Sequence, residues 1–441
     1  MKIMWVTAQV LPLVADDLKI KKNGFGGWVM NMLNELKTVD DIELSVVMVS
    51  NKVTSVLKTT HEKIICYVAP EYLTKDISEL DRDSIVKDFS PDIIHIEGNE
   101  FGIHNSFSKL KNIPVLLSLQ GILSGYEQYQ YGEIPIADYL FSPKSGNMIS
   151  AWILYLRKHL LFNKRISVEE ELIKNVKFIS GRTFWDRAHS YWINPEAKYF
   201  SCNRILRPIF YKQDWNLEQS EKHTVFVGNG YSPLKGLHNV IMAATLLVRE
   251  YPDLKIYVAG ESPIVVKKGF SLHRLGYSNF IKKLIKKYHL ENVIVFTGAL
   301  LGDEMVKCMK KCHLYCLPSL IENSPNTLGE AMMIGMPCVS AYTGGASEMA
   351  IDEEECLFYR ANDPKLLAWQ IRRVFNDDEL AKKLGEKAQI HAKKTHDPKT
   401  NRDALLQAYY SILNLRLGMF DDRKKRNKKF YCKNVWNDCL L

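Results

Sequence analysis

Two glutamates, Glu322 and Glu330, stand eight positions apart in the second half of this 441-residue chain. Residues 313–319 before them are typical of a short buried strand, so Glu322 falls in a strand-to-helix loop and Glu330 about one turn into the helix. The first N–H groups of such a helix are unpaired donors that suit a diphosphate. Glu330 can then accept both hydroxyls of a ribose, while Glu322 faces whatever lies beyond the phosphates. The residues expected around the phosphates are Ser324, Pro325, Asn326, Thr327 and Leu328.

The same segment also has a purely structural interpretation. Asn326 or Thr327 could be an ordinary helix N-cap, with Glu330 as its capping-box partner. The segment alone leaves both interpretations open, so the surrounding sequence has to decide between them.

A glycine loop upstream favours ligand binding. The apolar residues 225–227 lead into Gly228 and Asn229, and Lys235 follows immediately before Gly236 and a helical run. A lysine on such a loop is placed to neutralise a phosphate, although a surface lysine would give the same pattern.

Apolar strands and long helices alternate through the second half of the chain. Residues 225–228, 255–260 and 293–298 are predicted strands that each end in glycine, and residues 237–248 are a predicted helix. This alternation predicts a parallel, doubly wound α/β sheet, whose ligand binds at the carboxyl ends of the strands.

The first half shows the same design. Residues 3–7 are a predicted strand, and a loop containing Gly26 and Gly27 opens the predicted helix 29–36. The glycines are weak evidence for a nucleotide site, because no acidic residue ends a clear second strand. Glycines that permit close packing of the helix on the sheet would look the same.

These motifs together resemble the retaining glycosyltransferases of family 4, which have the GT-B fold. The resemblance covers roughly residues 224–390 and is looser over the first half. Besides the lysine–glycine loop and the two glutamates, it rests on Phe296–Gly298, Pro318–Ser319, Gly335–Pro337 and Gly344–Glu348.

The resemblance implies a role for each matching residue. Glu330 would hold the ribose, Lys235 would neutralise the diphosphate, and Glu322 would contact the transferred sugar and be catalytic only by extension. Family members usually have an arginine where this chain has Asn229, so Arg182 or another cation could substitute for it. The backbone at Gly298, Ala299 and Leu300 would meet the base, and the loop with Gly26 and Gly27 would close over the phosphates.

Three polar residues are expected on the acceptor side of the cleft. Gln120 ends the predicted strand 114–121, where many relatives have a histidine, and a glutamine cannot take up a proton at neutral pH. His95 is the nearest ionisable alternative for acid–base help and is therefore a candidate catalytic residue, although a histidine within an apolar strand is commonly a core residue. Arg182 follows another predicted strand and is also a cleft candidate.

The expected architecture is therefore GT-B, with two Rossmann-like doubly wound domains facing a cleft. Residues 1–205 form the acceptor-side domain, residues 206–400 the donor-nucleotide domain, and residues 401–441 a helix that crosses back to the first domain, followed by a basic tail. A chain of this length suits two domains better than one core.

Composition narrows the location and the partners. Nine irregularly spaced cysteines argue for a reducing compartment, which indicates a cytoplasmic protein. The net charge of +9, the amphipathic segment 151–165 and the basic run 423–429 suggest an anionic membrane surface, although a core helix and a solvated tail would also account for them. Nucleic acid is not an expected partner, because no nucleic-acid motif accompanies the charge.

The sequence thus predicts a glycosyltransferase that moves a sugar, with retention, from a UDP- or GDP-sugar to a polysaccharide or lipid-linked oligosaccharide. No cofactor or metal is expected, because Asp81-Arg-Asp83 lies in a charged helical stretch rather than after an apolar strand. The alternatives are another GT-B enzyme acting on sugar nucleotides, such as an epimerase or a sucrose-type synthase, and a non-catalytic scaffold that binds sugar nucleotides.

Overall fold

The computed structural model of the protein describes residues 1–21, 27–71, 76–99, 105–140, 148–264 and 275–415. Gly26, which the sequence places in the first glycine loop, and the basic tail 423–429 lie outside the described residues.

An eight-stranded sheet forms the core of the first domain. Its strands are β1 Lys2–Thr7, β2 Glu43–Ser50, β3 Leu57–His61, β4 Ile64–Pro70, β5 Ile93–Glu97, β6 Val115–Ser118, β7 Phe178–Gly181 and β8 Lys198–Ser201. They lie in the order β3-β4-β2-β1-β5-β6-β7-β8 and pair in parallel, except that β3 is antiparallel to β4. Every residue of β5 is buried, as expected for a central strand covered on both faces.

The helices of the first domain are α1 Gly27–Leu36, α2 Glu79–Phe89, α3 Asn105–Ser108, α4 Leu123–Tyr126, α5 Ile136–Leu140, α6 Met148–Asn175 and α7 Phe184–Ile193. Helix α6 has two different halves. Leu172 and Ile173 near its end are buried in the core, whereas Trp152, Leu156 and Leu160 near its start are exposed. Where the structure describes its side chains, the start of the predicted amphipathic segment therefore includes apolar residues that face solvent and not the core.

A six-stranded parallel sheet forms the core of the second domain. Its strands are β9 Glu221–Val227, β10 Lys255–Ala259, β11 Ile294–Gly298, β12 Cys312–Leu317, β13 Cys338–Tyr342 and β14 Leu357–Arg360, in the order β11-β10-β9-β12-β13-β14. The helices around it are α8 Leu237–Leu247, α9 Leu275–Lys287, α10 Gly302–Lys311, α11 Asn326–Met333, α12 Pro364–Asn376 and α13 Asp378–Thr395. The central strands β9 and β12 lead directly into the two loops that carry the predicted donor site.

A last helix, α14 at residues 398–415, returns to the first domain. It places Leu405, Tyr409 and Ile412 in the same hydrophobic core as Ile3 and Trp5 of β1. This arrangement confirms the predicted crossing helix. Residues 202–220 form the linker from the first sheet to the second. The predicted domain boundary between residues 205 and 206 falls within this linker.

Candidate active site

A cavity of about 520 Å³ lies between the two sheets, beyond the carboxyl ends of β9 and β12. Both domains line it, as expected for a cleft enzyme with two doubly wound domains. The predicted site residues that line it are Gln120, Arg182, Gly228, Asn229, Lys235, Glu322, Ser324, Pro325, Asn326 and Thr327.

Close backbone approach accounts for the glycine loop after β9. Gly236 has a φ of +66°, and a Cβ there would lie 1.9 Å from the carbonyl oxygen of Pro318. Gly228 faces the helix on the other side, because a Cβ there would lie 3.2 Å from Cβ of Thr327. The loop therefore packs directly against the segment that carries Glu322, which only glycine permits at position 236.

Lys235 and Glu322 form an ion pair at the cavity wall. The Nζ of Lys235 lies 2.5 Å from Oε1 of Glu322, and the hydroxyl of Ser319 donates to the same oxygen at 2.8 Å. Both ionic side chains are partly accessible, at 31% for the lysine and 13% for the glutamate. The structure thus places the predicted diphosphate cation directly beside the predicted sugar-contacting carboxylate.

The first turn of α11 points its amides toward the same cavity wall. Pro325 precedes the helix without a side-chain cap, and the first helical hydrogen bonds are donated by Leu328 and Gly329 to the carbonyl of Pro325. Leu328 is therefore not a free donor, which corrects its predicted role: its N–H is already used and its side chain is fully buried. The N–H groups of Asn326 and Thr327 precede the helical ladder, and donors in this position are the ones that suit an anion.

The capping-box interpretation of this segment does not hold. The hydroxyl of Thr327 hydrogen-bonds to Tyr315 at 2.8 Å, and Glu330 makes a bidentate ion pair with Arg207. Glu330 is 2% exposed and is not among the described residues that line the cavity. The carboxylate predicted to hold the ribose is therefore covered by an arginine from the linker.

Asn323, between the two predicted contact residues, joins the domains. Its amide donates to the carbonyl of Gln120 at 3.1 Å and to Asp186 at 2.9 Å, and it accepts from the hydroxyl of Thr183 at 2.6 Å. No local pattern signals this role, because asparagine is common in polar loops of every kind.

The glycine pair at 344–345 supports the same junction. A Cβ on Gly344 would lie 2.1 Å from the carbonyl oxygen of Glu322, and one on Gly345 would meet Asn323 and Thr183. Glu348, just beyond, accepts from the backbone N–H groups of residues 184 and 185 at the start of α7. This motif therefore fixes the Glu322 loop against the first domain.

Three arginines lie on the first-domain side of the cavity. Arg182 and Arg204 line it together with Arg165. Arg204 pairs with Glu97 at 2.6 Å, and Arg182 donates to the carbonyls of residues 119 and 120. Burial, and then the neighbouring Arg204, lower the pKa of Arg182 to about 10, so it stays charged at neutral pH. Arg165 and Arg204 were not predicted, since one lies in a long helix and the other in the linker.

The catalytic assignment of His95 is corrected by its surroundings. His95 is 1% exposed on β5, its Nδ1 lies 2.5 Å from the hydroxyl of Tyr409, and its Nε2 lies 2.6 Å from that of Ser118. Burial lowers its pKa to about 4. A neutral imidazole with both nitrogens engaged in the core does not reach a substrate, so His95 is a core residue that ties α14 to the sheet.

The remaining predicted contacts lie around the cavity rather than on its described wall. Gly298 ends β11 with a φ of +80° and has open space where a Cβ would be, and Ala299 and Leu300 follow it. Gly27 starts α1 and lies close to Arg207.

The Asp-x-Asp sequence lies away from the cavity. Asp81 and Asp83 are on α2 in the first domain, where Asp81 accepts from Ser78 and Asp83 pairs with Arg82. Neither carboxylate is among the described residues that line the cavity.

Comparisons with known proteins agree with this geometry. Residues 209–391 match the family model of the glycosyl transferases group 1. The N-acetyl-alpha-D-glucosaminyl L-malate synthase of Bacillus anthracis is 25% identical over 177 residues, which are 40% of this chain and 42% of that protein. A second relative is the N-acetylgalactosamine-N,N'-diacetylbacillosaminyl-diphospho-undecaprenol 4-alpha-N-acetylgalactosaminyltransferase of Campylobacter jejuni, 27% identical over 165 residues, or 36% of this chain and 41% of that protein. The chain thus spans less than half the length of these curated relatives.

Solved structures resemble more than nine-tenths of the chain at low sequence identity. Sucrose-phosphate synthase of Thermosynechococcus elongatus superimposes with a TM-score of 0.70 at 14% identity, covering 94% of this chain and 100% of that one. HepE of Anabaena in complex with UDP superimposes with a TM-score of 0.64 at 15% identity, covering 93% and 100%. The architecture is therefore the GT-B fold, as the sequence predicts.

Proposed function

We propose that this chain, whose second domain matches the glycosyl transferases group 1 family, transfers a sugar from a nucleotide-sugar donor to a saccharide or lipid-linked acceptor with retention of configuration. The observation that carries the proposal is one cavity at which Lys235, Glu322 and the start of α11 meet Gln120 and Arg182 of the other domain. Retention is proposed on the resemblance to family 4.

The donor side supplies electrostatic stabilisation. Breaking the glycosyl–phosphate bond develops negative charge on the departing nucleoside diphosphate, and fixed cations and helix-end amides lower the barrier to that separation. Lys235 and the N–H groups of Asn326 and Thr327 are the groups in position to do this. No metal ion is part of the proposed mechanism, and no enzymic nucleophile is assigned.

Glu322 has two roles in this proposal. Before the donor binds, its ion pair with Lys235 keeps both charges compensated at a partly exposed wall. When a diphosphate arrives, the ammonium of Lys235, with three donors, can contact phosphate and carboxylate at once. The carboxylate then accepts from hydroxyls of the transferred sugar and holds the reacting carbon near the acceptor.

Asn229 stands where relatives usually have an arginine, so the missing charge needs another source. Arg182 and Arg204 line the cavity from the first domain. Asp186 lies near Arg182 and Glu97 pairs with Arg204, so the charge of each arginine is partly balanced by a carboxylate. We assign to them the second cation for the phosphates or the acceptor. UDP is the proposed nucleotide, since HepE of the same fold binds it, with GDP as the alternative.

The acceptor side points toward a lipid-linked substrate. Helix α6 contributes Phe162 and Arg165 to the cavity, and its neighbouring stripe of Trp152, Leu156 and Leu160 is exposed. An apolar stripe beside cations can lie in an anionic lipid interface. We therefore place the protein at the cytoplasmic face of a membrane as a peripheral enzyme. Among the described residues, no helix combines the length and apolar character needed to cross a bilayer.

A ligand screen followed by a transfer assay tests this function. Thermal unfolding is measured with UDP-, GDP-, ADP- and CMP-sugars, because a ligand at ~100 times its Kd stabilises by ~2.7 kcal/mol. The expected result is a shift with UDP- or GDP-sugars only, and slow hydrolysis of the donor or transfer to saccharide acceptors that depends on Glu322. Stabilisation by none of the four would overturn the proposal.

A further inference from the structure

The carboxylate of Glu330 is a deeply enclosed charge near the proposed donor site. Only 2% of the side chain is accessible, and both oxygens accept from Arg207, one from Nε and one from an Nη, each at 2.6 Å. The arginine itself is 30% accessible, so it is the guanidinium that meets solvent. Side-on bidentate pairs of this kind are strong and fix orientation.

Arg207 is held at a junction of three elements. It belongs to the linker, which is fastened to α1 by the amide of Asn31 through the carbonyls of residues 205 and 206. Its guanidinium carbon lies 4.9 Å from the ring centroid of Phe210, and its Cγ lies 3.9 Å from where a Cβ on Gly27 would be. The side chain therefore lies over the Phe210 ring and passes close to the start of α1 before it reaches Glu330.

We propose that Arg207 is the positioning residue for Glu330, which it holds ionised and in one orientation for the donor ribose. This inference rests on the proposed function, because it assumes that Glu330 binds the ribose. A carboxylate has about four lone-pair sites, and the guanidinium uses two of them, so two remain for the ribose hydroxyls. The donor must displace neighbouring atoms to reach them, and the arginine preserves the charge until it does.

Burial makes such a partner necessary. Burial raises the pKa of Glu330, and the hydrogen bonds and charge of Arg207 act in the opposite direction. Without the arginine, the enclosed carboxyl would take up a proton at a higher pH. A protonated carboxyl accepts less and donates one hydrogen bond of its own, so it no longer suits two ribose hydroxyls.

Burial shifts the pKa values of several other titratable side chains around α11. Burial lowers the pKa of His396, beyond α13, from its ordinary value of 6.5. Burial raises the pKa of Tyr211, in the linker, to about 12, and it also raises the pKa values of Tyr315 on β12 and Cys338 on β13. A pH dependence of Arg207→Gln that disappears when Glu330→Gln is added can be attributed to Glu330.

The test is calorimetric titration of UDP, or GDP if the screen selects it, into Arg207→Gln and unchanged protein from pH 6.5 to 9. Each affinity is expressed relative to the unchanged protein at the same pH, which removes the titration of the nucleotide phosphate. We expect the variant to bind at least about tenfold more weakly at pH 6.5 and to recover as the pH rises, because an enclosed carboxyl without its cation keeps its proton to a higher pH and accepts again once it loses it.

Three further variants separate the causes. Arg207→Lys keeps the charge but not the bidentate geometry, so its relative affinity should be reduced and independent of pH. Arg207→Gln combined with Glu330→Gln should bind weakly at every pH. Arg373→Gln is the matched control, because Arg373 makes a bidentate pair with Glu353 at 2.6 and 2.7 Å on the surface, and its binding should be unchanged.

Each other outcome overturns the inference. Equal weakening of Arg207→Gln at every pH would mean a structural role only, unchanged affinity would mean no role, and tighter binding would mean that the arginine blocks the ribose. Glu330→Gln alone distinguishes this failure from failure of the proposed function: if it binds nucleotide as well as the unchanged protein, the ribose assignment itself is wrong. A melting temperature measured for each variant shows that it is folded.

Discussion

The two walls of the cleft are built by different means. The second-domain wall is built mainly from main-chain segments. It consists of glycine loops that pack too closely to allow a Cβ and of the start of α11, and one side-chain ion pair, Lys235 with Glu322, is added to them. The first-domain wall is side chain, with long arginines and aromatic rings from several helices and loops. Backbone walls suit a ligand that does not change, such as a nucleoside diphosphate, whereas side-chain walls can be altered one residue at a time to suit an acceptor.

The family comparison follows the same division. The match to the glycosyl transferases group 1 model covers residues 209–391, which contain the backbone wall, and it does not extend over the first domain. We therefore expect substitutions on the second-domain wall to affect any donor-dependent activity. Apart from Arg182 and Arg204, which are proposed to serve the phosphates as well, we expect substitutions on the first-domain wall to affect only particular acceptors. The following predictions test that contrast.

The largest effect is expected for Glu322. Glu322→Ala removes the proposed sugar contact and leaves Lys235 free for the diphosphate, so nucleotide affinity should be kept or slightly increased. Turnover should fall by about 10² to 10³, the range for losing one fixed polar contact in a transition state. Steady-state kinetics measure the loss of turnover, and calorimetric titration with the nucleotide measures the affinity. Ser319→Ala, which removes only the hydroxyl that supports Glu322, should cost much less.

The second effect is on the rigidity of the backbone wall. Gly236→Ala places a Cβ 1.9 Å from the carbonyl oxygen of Pro318, at a φ of +66°. We expect it to lower the free energy of unfolding by roughly 3 kcal/mol, from overpacking and left-handed strain together. Gly298→Ala is the matched comparison, with a φ of +80° and no atom within 4 Å of the added Cβ. It should cost only about 1 kcal/mol, and equal losses by chemical denaturation would contradict the close-packing account.

A smaller effect is expected for Glu330. Glu330→Ala removes two charge-assisted hydrogen bonds to the ribose, of ~1.5 to 3 kcal/mol each, and frees Arg207, whose charge can partly compensate near the phosphates. Nucleotide affinity should fall at least about tenfold. Calorimetry with UDP or GDP and with the matching 2′,3′-dideoxy nucleotide checks the cause, because the variant should no longer distinguish the two.

The backbone wall can be predicted from the sequence, and the side-chain wall mostly cannot. Glycine, lysine and glutamate at fixed spacing around strand ends form a local signal, and Gly228, Lys235 and Glu322, which the sequence places at one predicted site, all line the cavity.

Residues whose roles depend on contacts between distant parts of the chain could not be predicted from the sequence. Asn323, Arg204 and Arg207 depend on how the domains and the linker meet, and nothing local in the sequence signals such contacts. The core environment of His95 depends on such a contact as well, because its partner Tyr409 comes from a helix 314 residues away.

The side-chain wall leads to a membrane prediction with a modest effect. Trp152→Ser with Leu156→Ser should weaken binding to anionic vesicles about fivefold, because each apolar side chain withdrawn from the interface forfeits part of its burial energy. The two residues are 43% and 53% exposed, so the fold should survive. Leu366→Ser with Trp369→Ser, at 43% and 54% exposure on α12, is the matched control and should leave sedimentation with vesicles unchanged.

Salt and lipid charge sharpen the membrane prediction. Exposed cations beside the stripe, Arg157 and Lys164 among them, should make binding fall as salt rises, since exposed charges are screened within ~8 Å at physiological ionic strength. Equal sedimentation with neutral and anionic vesicles would show that the charge of the chain serves another partner, such as an acidic saccharide acceptor.

Chelation of divalent metal ions is expected to leave the transfer rate unchanged. This tests whether the second-domain wall stabilises the diphosphate without a metal ion. A nucleotide-sugar enzyme that relied on a divalent ion would need carboxylates beside the diphosphate, whereas the proposed diphosphate position is approached by Lys235, the N–H groups of Asn326 and Thr327, and the arginines of the first domain. Glu322 is already neutralised by Lys235. Transfer rates measured with and without EDTA should therefore agree within error, and added manganese or magnesium should not raise them. Activity that EDTA abolishes and manganese restores would mean that a metal, and not the lysine and helix end, carries the charge of the leaving group.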